Sequence, residues 1–361
     1  MPKRLILCCD GTWNTPDEMR GNEPAPTNVT KIALAVAPKD SAGLEQRIFY
    51  HQGVGTKLGE RISGGAFGFG LSRNVRDTYR FLVQNFEPGD KLYFFGFSRG
   101  AFTARSTVGF VRNCGILRRE HADRVDEAYA LYRNRSSRTR PRSIEAQLFR
   151  RSYSHETNIR FIGVWDTVGA LGIPLSGLRF INLFNRLWQF HDTDLSSTVE
   201  AAFQALAIDE KRGPFQPAIW TTPANVDGQR LEQMWFAGVH SDIGGGYQDC
   251  ALADITLLWM ADRARECDLA FKPDSFAPPP SSDTRDLPNT GTYVQPDPLG
   301  RLHESRTGFY RLIPPYIRCI GVTNKAHEDV ARTAIHRHQQ MAYSPPNLME
   351  YLNGVQQPTK V

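Results

Sequence analysis

Apolar residues fall in short, nearly unbroken runs at 5–9, 47–50, 92–97, 159–165 and 234–239, with a further candidate at 316–320. Glycine, proline or polar residues bound each run, and the turn former Pro88-Gly89-Asp90 introduces the one at 92–97. A strand with one face in water alternates apolar and polar side chains. A strand covered on both faces does not, so runs of this kind predict a sheet with helices on either side. Between the runs the spacing turns helical, at 74–86, 101–113, 122–133, 197–210 and 252–266. Strands and helices in this alternation predict an α/β chain with a mainly parallel, doubly wound sheet and helices on both faces.

Three stretches break the rhythm. Residues 133–142, "RNRSSRTRPR", are basic and aperiodic, and 276–299 carry Pro278-Pro279-Pro280 and further prolines. Both read as loop insertions, near 133–143 and 276–299, in a single domain spanning 1–361. Segment 53–70, "GVGTKLGERISGGAFGFG", reads as a glycine-rich excursion ahead of the helix at 74. It is not a phosphate-binding Walker loop, because Lys57 lacks the preceding Gly-x-x-x-x-Gly and the following Ser or Thr. It is either a plain connection or a flap over an apolar substrate. Arg133, Arg135, Arg138, Arg140 and Arg142 form either a solvated face or a contact for anionic lipid headgroups.

Candidate chemistry sits where the runs end. The run at 92–97 leads through Gly96-Phe97-Ser98-Arg99-Gly100 into a helix. A bare G-x-S-x-G arises by chance in a chain this long with probability on the order of 0.1, so the motif alone carries little. Strand, tight turn and helix in that order are the setting of a nucleophile elbow, in which the helix N-terminus favours a developing oxyanion. Ser98 needs a base, and the base needs an orienting carboxylate. Ligands of parallel sheets bind outside the carboxyl ends of the strands. Four runs end on a useful residue at that edge: Asp10, Ser98, Asp166 and His240. The order Ser, Asp, His along the chain is also that of α/β-hydrolases.

This predicts Ser98 as nucleophile, His240 as base and Asp166 as orienting carboxylate. His327, after the last candidate run, is the rival base. Asp242 is a second carboxylate, a cation ligand or a helix cap. The oxyanion would take the amide of Arg99 and one from Gly11 or Thr12, with Asp10 holding that loop by accepting backbone N–H groups. A second class of function competes, a metal-dependent phosphoesterase built on Asp10, Asp166 and Asp242. It is weakened because position 8, where a helper carboxylate would stand, is Cys8. A third is a non-catalytic protein that keeps the fold and binds a partner.

Composition narrows the field further. A chain of 361 residues can bury a large core without staples. A formal charge of +5 is mild and calls for no nucleic acid. None of the six cysteines is in C-x-x-C spacing, and adjacent Cys8 and Cys9 read as small buried hydrophobes of a reducing compartment. The five apolar residues before Asp10 are too few for a secretory core, and no run approaches the roughly 20 residues of a membrane span. Folding in the cytosol is expected, with signal-peptide-independent export left open. No metal or cofactor is expected.

Taken together, "LCCDGTWN", "GVGT", "GGAFGFGL", "GFSRGAFTAR", "VWDTVGALG", "ALAIDEKRGPFQPAIW" and "WFAGVHSDIGGGY" resemble one α/β-hydrolase family, in family order over about residues 5–265. That family includes phospholipase effectors of the bacterial type VI secretion system. The resemblance implies a serine hydrolase acting on lipid esters, with Ser98 as nucleophile and Asp166 and His240 at the site. It leaves room for peripheral membrane contact and for a secretion-system or inhibitor protein as partner. It also draws attention to Asp209 and Arg212 as a structural ion pair. Past about residue 270 the likeness thins. A His-Pro-Ser-type motif of the family is matched only by "AHEDV", where Glu328-Asp329 replaces Pro-Ser, and this counts against a catalytic His327.

Overall fold

A computed structural model describes residues 2–11, 19–20, 23–53, 64–134, 136–169, 195–221, 228–278 and 292–356. Among them seven strands form one parallel sheet: β1 (Arg4–Cys9), β2 (Gln46–His51), β3 (Lys91–Phe97), β4 (Phe161–Trp165), β5 (Ala201–Ala207), β6 (Arg230–Phe236) and β7 (Glu328–Val330). Their order across the sheet is β2-β1-β3-β4-β5-β6-β7, and every neighbouring pair is parallel. The unbroken runs follow from this position. Leu5, Leu7 and Cys9 of β1 enter one core and Ile6 and Cys8 the other. Each buried side chain of Leu or Phe size is worth about 1.5–3 kcal/mol, so both faces of such a strand favour apolar residues. Adjacent Cys8 and Cys9 therefore sit on opposite faces of the sheet, and the six cysteines form no disulfide.

Helices cover the two faces. α1 (Asn28–Ala35) packs on one, while α2 (Gly64–Asn85) and α3 (Arg99–Cys114) pack on the other. α4 (Val125–Arg133) and α5 (Ile144–Tyr153) lie outside α3. The short α6 (His240–Gly244) and the long α7 (Ala251–Glu266) join α1 on its face. The Asn28 amide of α1 donates to Ile243 O at 3.0 Å, Ala253 O at 2.9 Å and Thr256 Oγ1 at 3.0 Å, which ties α1 to α6 and α7. Lys31 and Asp254 add a buried ion pair at 2.6 Å. α8 (Arg332–Gln340) and α9 (Pro346–Gln356) close a third apolar cluster over β5, β6 and β7. No helix of the described residues is long and apolar enough to cross a membrane. The mainly parallel sheet with helices on both faces is the one the run pattern predicts, and the architecture is α/β-hydrolase-like.

Several expected boundaries move. The segment 197–210, read as a helix, holds strand β5, all seven of whose residues are buried between β4 and β6. Alanine is the strongest helix former, but tertiary context overrides propensity, and the small alanines of "AAFQALA" fit a central strand under packed helices. The run at 316–320 is not a strand; the seventh strand lies at Glu328–Val330, a short edge that needs little apolar content. β6 begins and ends earlier than the run at 234–239 suggests. α2 begins at Gly64, so 64–70 belong to a helix rather than to a loop, and 54–63 lie outside the described residues. Of the two insertions, 133–142 end α4 and form a turn at Ser137–Thr139, and most of 276–299 lies outside the described residues.

Candidate active site

β1 is flanked by β2 on one side and β3 on the other, so the order of connection reverses there, and the carboxyl edge beside such a reversal is where open α/β sheets bind their ligands. Ser98 follows β3 directly. Its φ of 58° and ψ of −120° place it in a conformation that L-residues rarely adopt. The turn is held by Ser98 N donating to Trp165 O at 3.0 Å and by Phe102 N donating back to Ser98 O at 3.2 Å. Both glycines of the motif are close approaches. A Cβ at Gly96 would lie 2.6 Å from Ala101 Cα, and one at Gly100 would lie 2.1 Å from Cys9 O. α3 thus starts against the end of β1 with no room for a side chain.

Asp166 follows β4 with φ 40° and its amide bonded to Ala205 O at 2.8 Å. His240 opens α6, four residues beyond β6 rather than at its end. The intervening turn passes through Gly238 at φ 126°, where a Cβ would strike Asp242 Cβ at 2.5 Å. These turns bring three side chains from distant parts of the chain together. Ser98 Oγ lies 2.8 Å from His240 Nε2, and His240 Nδ1–H donates to Asp166 Oδ2 at 2.5 Å. Exposure is 6% for Ser98, 5% for His240 and 0% for Asp166. Phe97 at 4.7 Å and the edge-on Phe215 at 5.0 Å flank the imidazole.

Burial governs the electrostatics. It pushes the His240 imidazolium below its ordinary pKa, and Asp166 only partly restores it, so the ring is neutral near pH 7. Burial alone would push the Asp166 carboxyl up. The Arg318 guanidinium and the His240 contact outweigh that effect and hold it well below the usual carboxylate range. Arg318, fully buried, bonds Oδ1 at 2.6 Å and Oδ2 at 3.0 Å, and also Ala207 O at 2.9 Å and Phe215 O at 2.5 Å. Glu210, just past β5, accepts the His240 amide at 3.3 Å and pairs with Arg212 at 2.8 Å. Sequence reading passed over both groups. The signal for Arg318 was one arginine inside the apolar run "YIRCI", and Glu210 lies within "ALAIDEKRGPFQPAIW".

The remaining candidates separate. Asp10 is buried and accepts Thr27 Oγ1 at 2.7 Å, Thr30 Oγ1 at 3.0 Å, Tyr50 OH at 2.6 Å and the Gly11 amide at 2.6 Å. Its three hydroxyl donors come from the start of α1 and from β2 rather than from the loop that follows, and among the described residues the Gly11 amide is the one backbone N–H it accepts, which turns that amide away from a role as oxyanion donor. Thr12 lies outside the described residues. The Arg99 amide is the first of α3, directly after Ser98. Asp242 caps α6, accepting the Val239 amide at 3.0 Å and His303 Nδ1–H at 2.6 Å. Asp10, Asp166 and Asp242 therefore have separate sets of donors, and among the described residues no group of three His, Cys, Asp or Glu is placed to hold a metal ion. His327 is not at this edge. It precedes β7, donates to Leu231 O at 3.1 Å and accepts Gln233 N at 2.8 Å, at the amino end of β6. Parallel strands put their amino ends on the opposite rim, which removes His327 as a base. Asp209 and Arg212 do not pair: Arg212 binds Glu210, and Asp209 accepts Gly238 N and Tyr343 OH, each at 2.8 Å.

An α/β-hydrolase-like sheet with serine, histidine and aspartate hydrogen-bonded in series at its carboxyl edge defines the class. The family model for the catalytic domain of Tle1-like type VI secretion system phospholipase effectors matches residues 3–263. The chain belongs to that family. An uncharacterized protein of Saccharomyces cerevisiae is 31% identical over 242 residues, 61% of this chain and 33% of its own. A crystal structure of an uncharacterized Pseudomonas aeruginosa protein is similar at 18% identity and TM-score 0.46, over 75% of this chain and 46% of that one. The Tle1 effector bound to the VgrG spike of the type 6 secretion system is similar at 21% identity and TM-score 0.39, over 69% and 52% respectively. The chain spans about a third of the yeast relative and about half of each solved chain.

Proposed function

We propose that this chain is a serine hydrolase that cleaves carboxylic esters of lipids, most naturally of phospholipids, through an acyl-enzyme. The single observation that carries this reading is the 2.8 Å contact from Ser98 Oγ to a neutral, buried His240 whose other nitrogen donates to Asp166. His240 Nε2 takes the Ser98 proton as Oγ attacks the ester carbonyl. Asp166 fixes the tautomer and stabilises the imidazolium that forms. The Arg99 amide, the first of α3, receives the oxyanion. His240 returns the proton to the leaving alcohol, and water repeats the sequence to release the acid. Membership of a phospholipase effector family supports lipid as the acyl source, and supports a delivery or inhibitor protein as a partner.

The test has two parts. A fluorophosphonate probe is incubated with folded wild type and with Ser98→Ala, and phospholipid vesicles are assayed for released fatty acid with both. Labelling at Ser98 and fatty-acid release by wild type alone are expected. A folded wild type that does not label overturns the reading.

A further inference from the structure

We propose that Arg318 is a positioning residue for the Ser98 chemistry, gripping both oxygens of Asp166 so that a charged, correctly aimed carboxylate faces His240. The inference rests on the serine-hydrolase reading and deepens it. Arg318 lies beyond the matched region 3–263, so the segment following the family domain reaches back into its site.

The geometry is that of a fork. Two guanidinium nitrogens meet the two carboxylate oxygens, and the same nitrogens reach Ala207 O at the end of β5 and Phe215 O in the turn at Gly213–Phe215. The side chain is anchored on three separate parts of the rim and has no exposure. Arginine remains protonated under all working conditions. A carboxyl as buried as Asp166 would otherwise tend to take up a proton. In that form it neither stabilises an imidazolium nor holds the imidazole in the tautomer that leaves Nε2 free for Ser98.

The pair also sets the charge seen by the imidazole. His240 faces Asp166 and Ser98 from the strand ends, Glu210 and Arg212 from the segment after β5, and Arg318 behind Asp166. Removing the guanidinium leaves the carboxylates Asp166 and Glu210, with Arg212, around the ring. The His240–Asp166 pair then takes up a proton more readily, on the carboxylate or on the ring, and because either form is inactive the acid limb of the rate profile moves to higher pH.

The experiment compares wild type, Arg318→Met, Arg318→Lys, Asp166→Asn and the Asp166→Asn/Arg318→Met double variant, scoring ester turnover and probe labelling across pH. Rates are expressed per folded molecule from circular dichroism. Arg318→Met is expected to lose roughly 10- to 100-fold in kcat with KM within about 2-fold, and to shift the acid limb upward by about 0.5–1 pH unit. Arg318→Lys keeps a charge without the fork, so it should restore the limb and recover kcat only in part. With Asp166→Asn in place, Arg318→Met should cost no further kcat. A wild-type limb and kcat in Arg318→Met overturn the proposal. If that variant does not fold, an undiminished kcat in Arg318→Lys overturns it. Failure of wild type itself to label would instead count against the parent reading, so the two failures are distinct.

Discussion

Ser98 occupies a backbone conformation that suits glycine far better than serine. Such a residue persists because the surrounding structure over-determines it, at a cost of order 1–3 kcal/mol. Ser98→Ala keeps the strain and removes the hydroxyl, and should lower kcat/KM by on the order of 10⁴-fold or more with little change in Tm. Ser98→Gly should be equally inactive yet melt higher than Ser98→Ala, because glycine relaxes the turn; equal melting temperatures would count against the strain. The ionisation of the neighbours fixes a pH dependence. His240 is depressed in the fold, so the unfolded chain binds its proton first as pH falls through the ordinary imidazole range near 6.5, and stability drops there. Asp166 is also depressed. Its contribution is complete above the ordinary carboxylate value near 3.9 and is lost as pH falls towards the folded value. Activity should therefore hold to somewhat below pH 6.5 and then decline, as read by ester turnover against pH in the stable range. Chelation with EDTA should leave turnover unchanged; loss of activity, restored by a divalent ion, would revive the phosphoesterase alternative. At this scale Ser98, Asp166 and His240 were legible because each closes an apolar run or a glycine turn. Arg318 was not, since a charge inside an apolar run gives no hint of the distant carboxylate it meets.

At the scale of elements, the glycines of the elbow act as spacers between a helix and a strand. Gly100→Ala would put a methyl group 2.1 Å from Cys9 O, and α3 would have to withdraw from β1. A loss of about 3 kcal/mol is expected, measured as a lower urea midpoint with unchanged m-value. Because the displaced helix carries the Arg99 amide, probe labelling should slow in the fraction that remains folded. Continuous apolar runs revealed β1, β3 and β4, since strands buried on both faces have no other pattern to show. β5 escaped because its alanines favour a helix on paper. What decides for the strand is the slot between β4 and β6, a non-local fact. β7 escaped for the opposite reason: three residues at an edge carry too little pattern to register.

For the whole molecule, the segment after α7 is part of the fold rather than an appendage. Val330, Ala334, Tyr343 and Leu348 complete the apolar cluster over Leu206 and Trp235, and Tyr343 OH and Asn347 Nδ2 bond Asp209 at 2.8 Å and Ile208 O at 3.0 Å. A chain ended at residue 263, the limit of the family match, would expose Leu206 and Trp235 and lose Arg318. Such a truncation should aggregate on expression, and its soluble fraction should show no labelling at Ser98. Asn28 shows how little separates an ordered rim from a broken one. Its amide faces three oxygen acceptors on the helices that frame the imidazole. Exchanging that nitrogen for an oxygen, as in Asn28→Asp, would set a carboxylate against them, and the turn bearing His240 would be the first to spring loose while the β-strands beneath stayed paired.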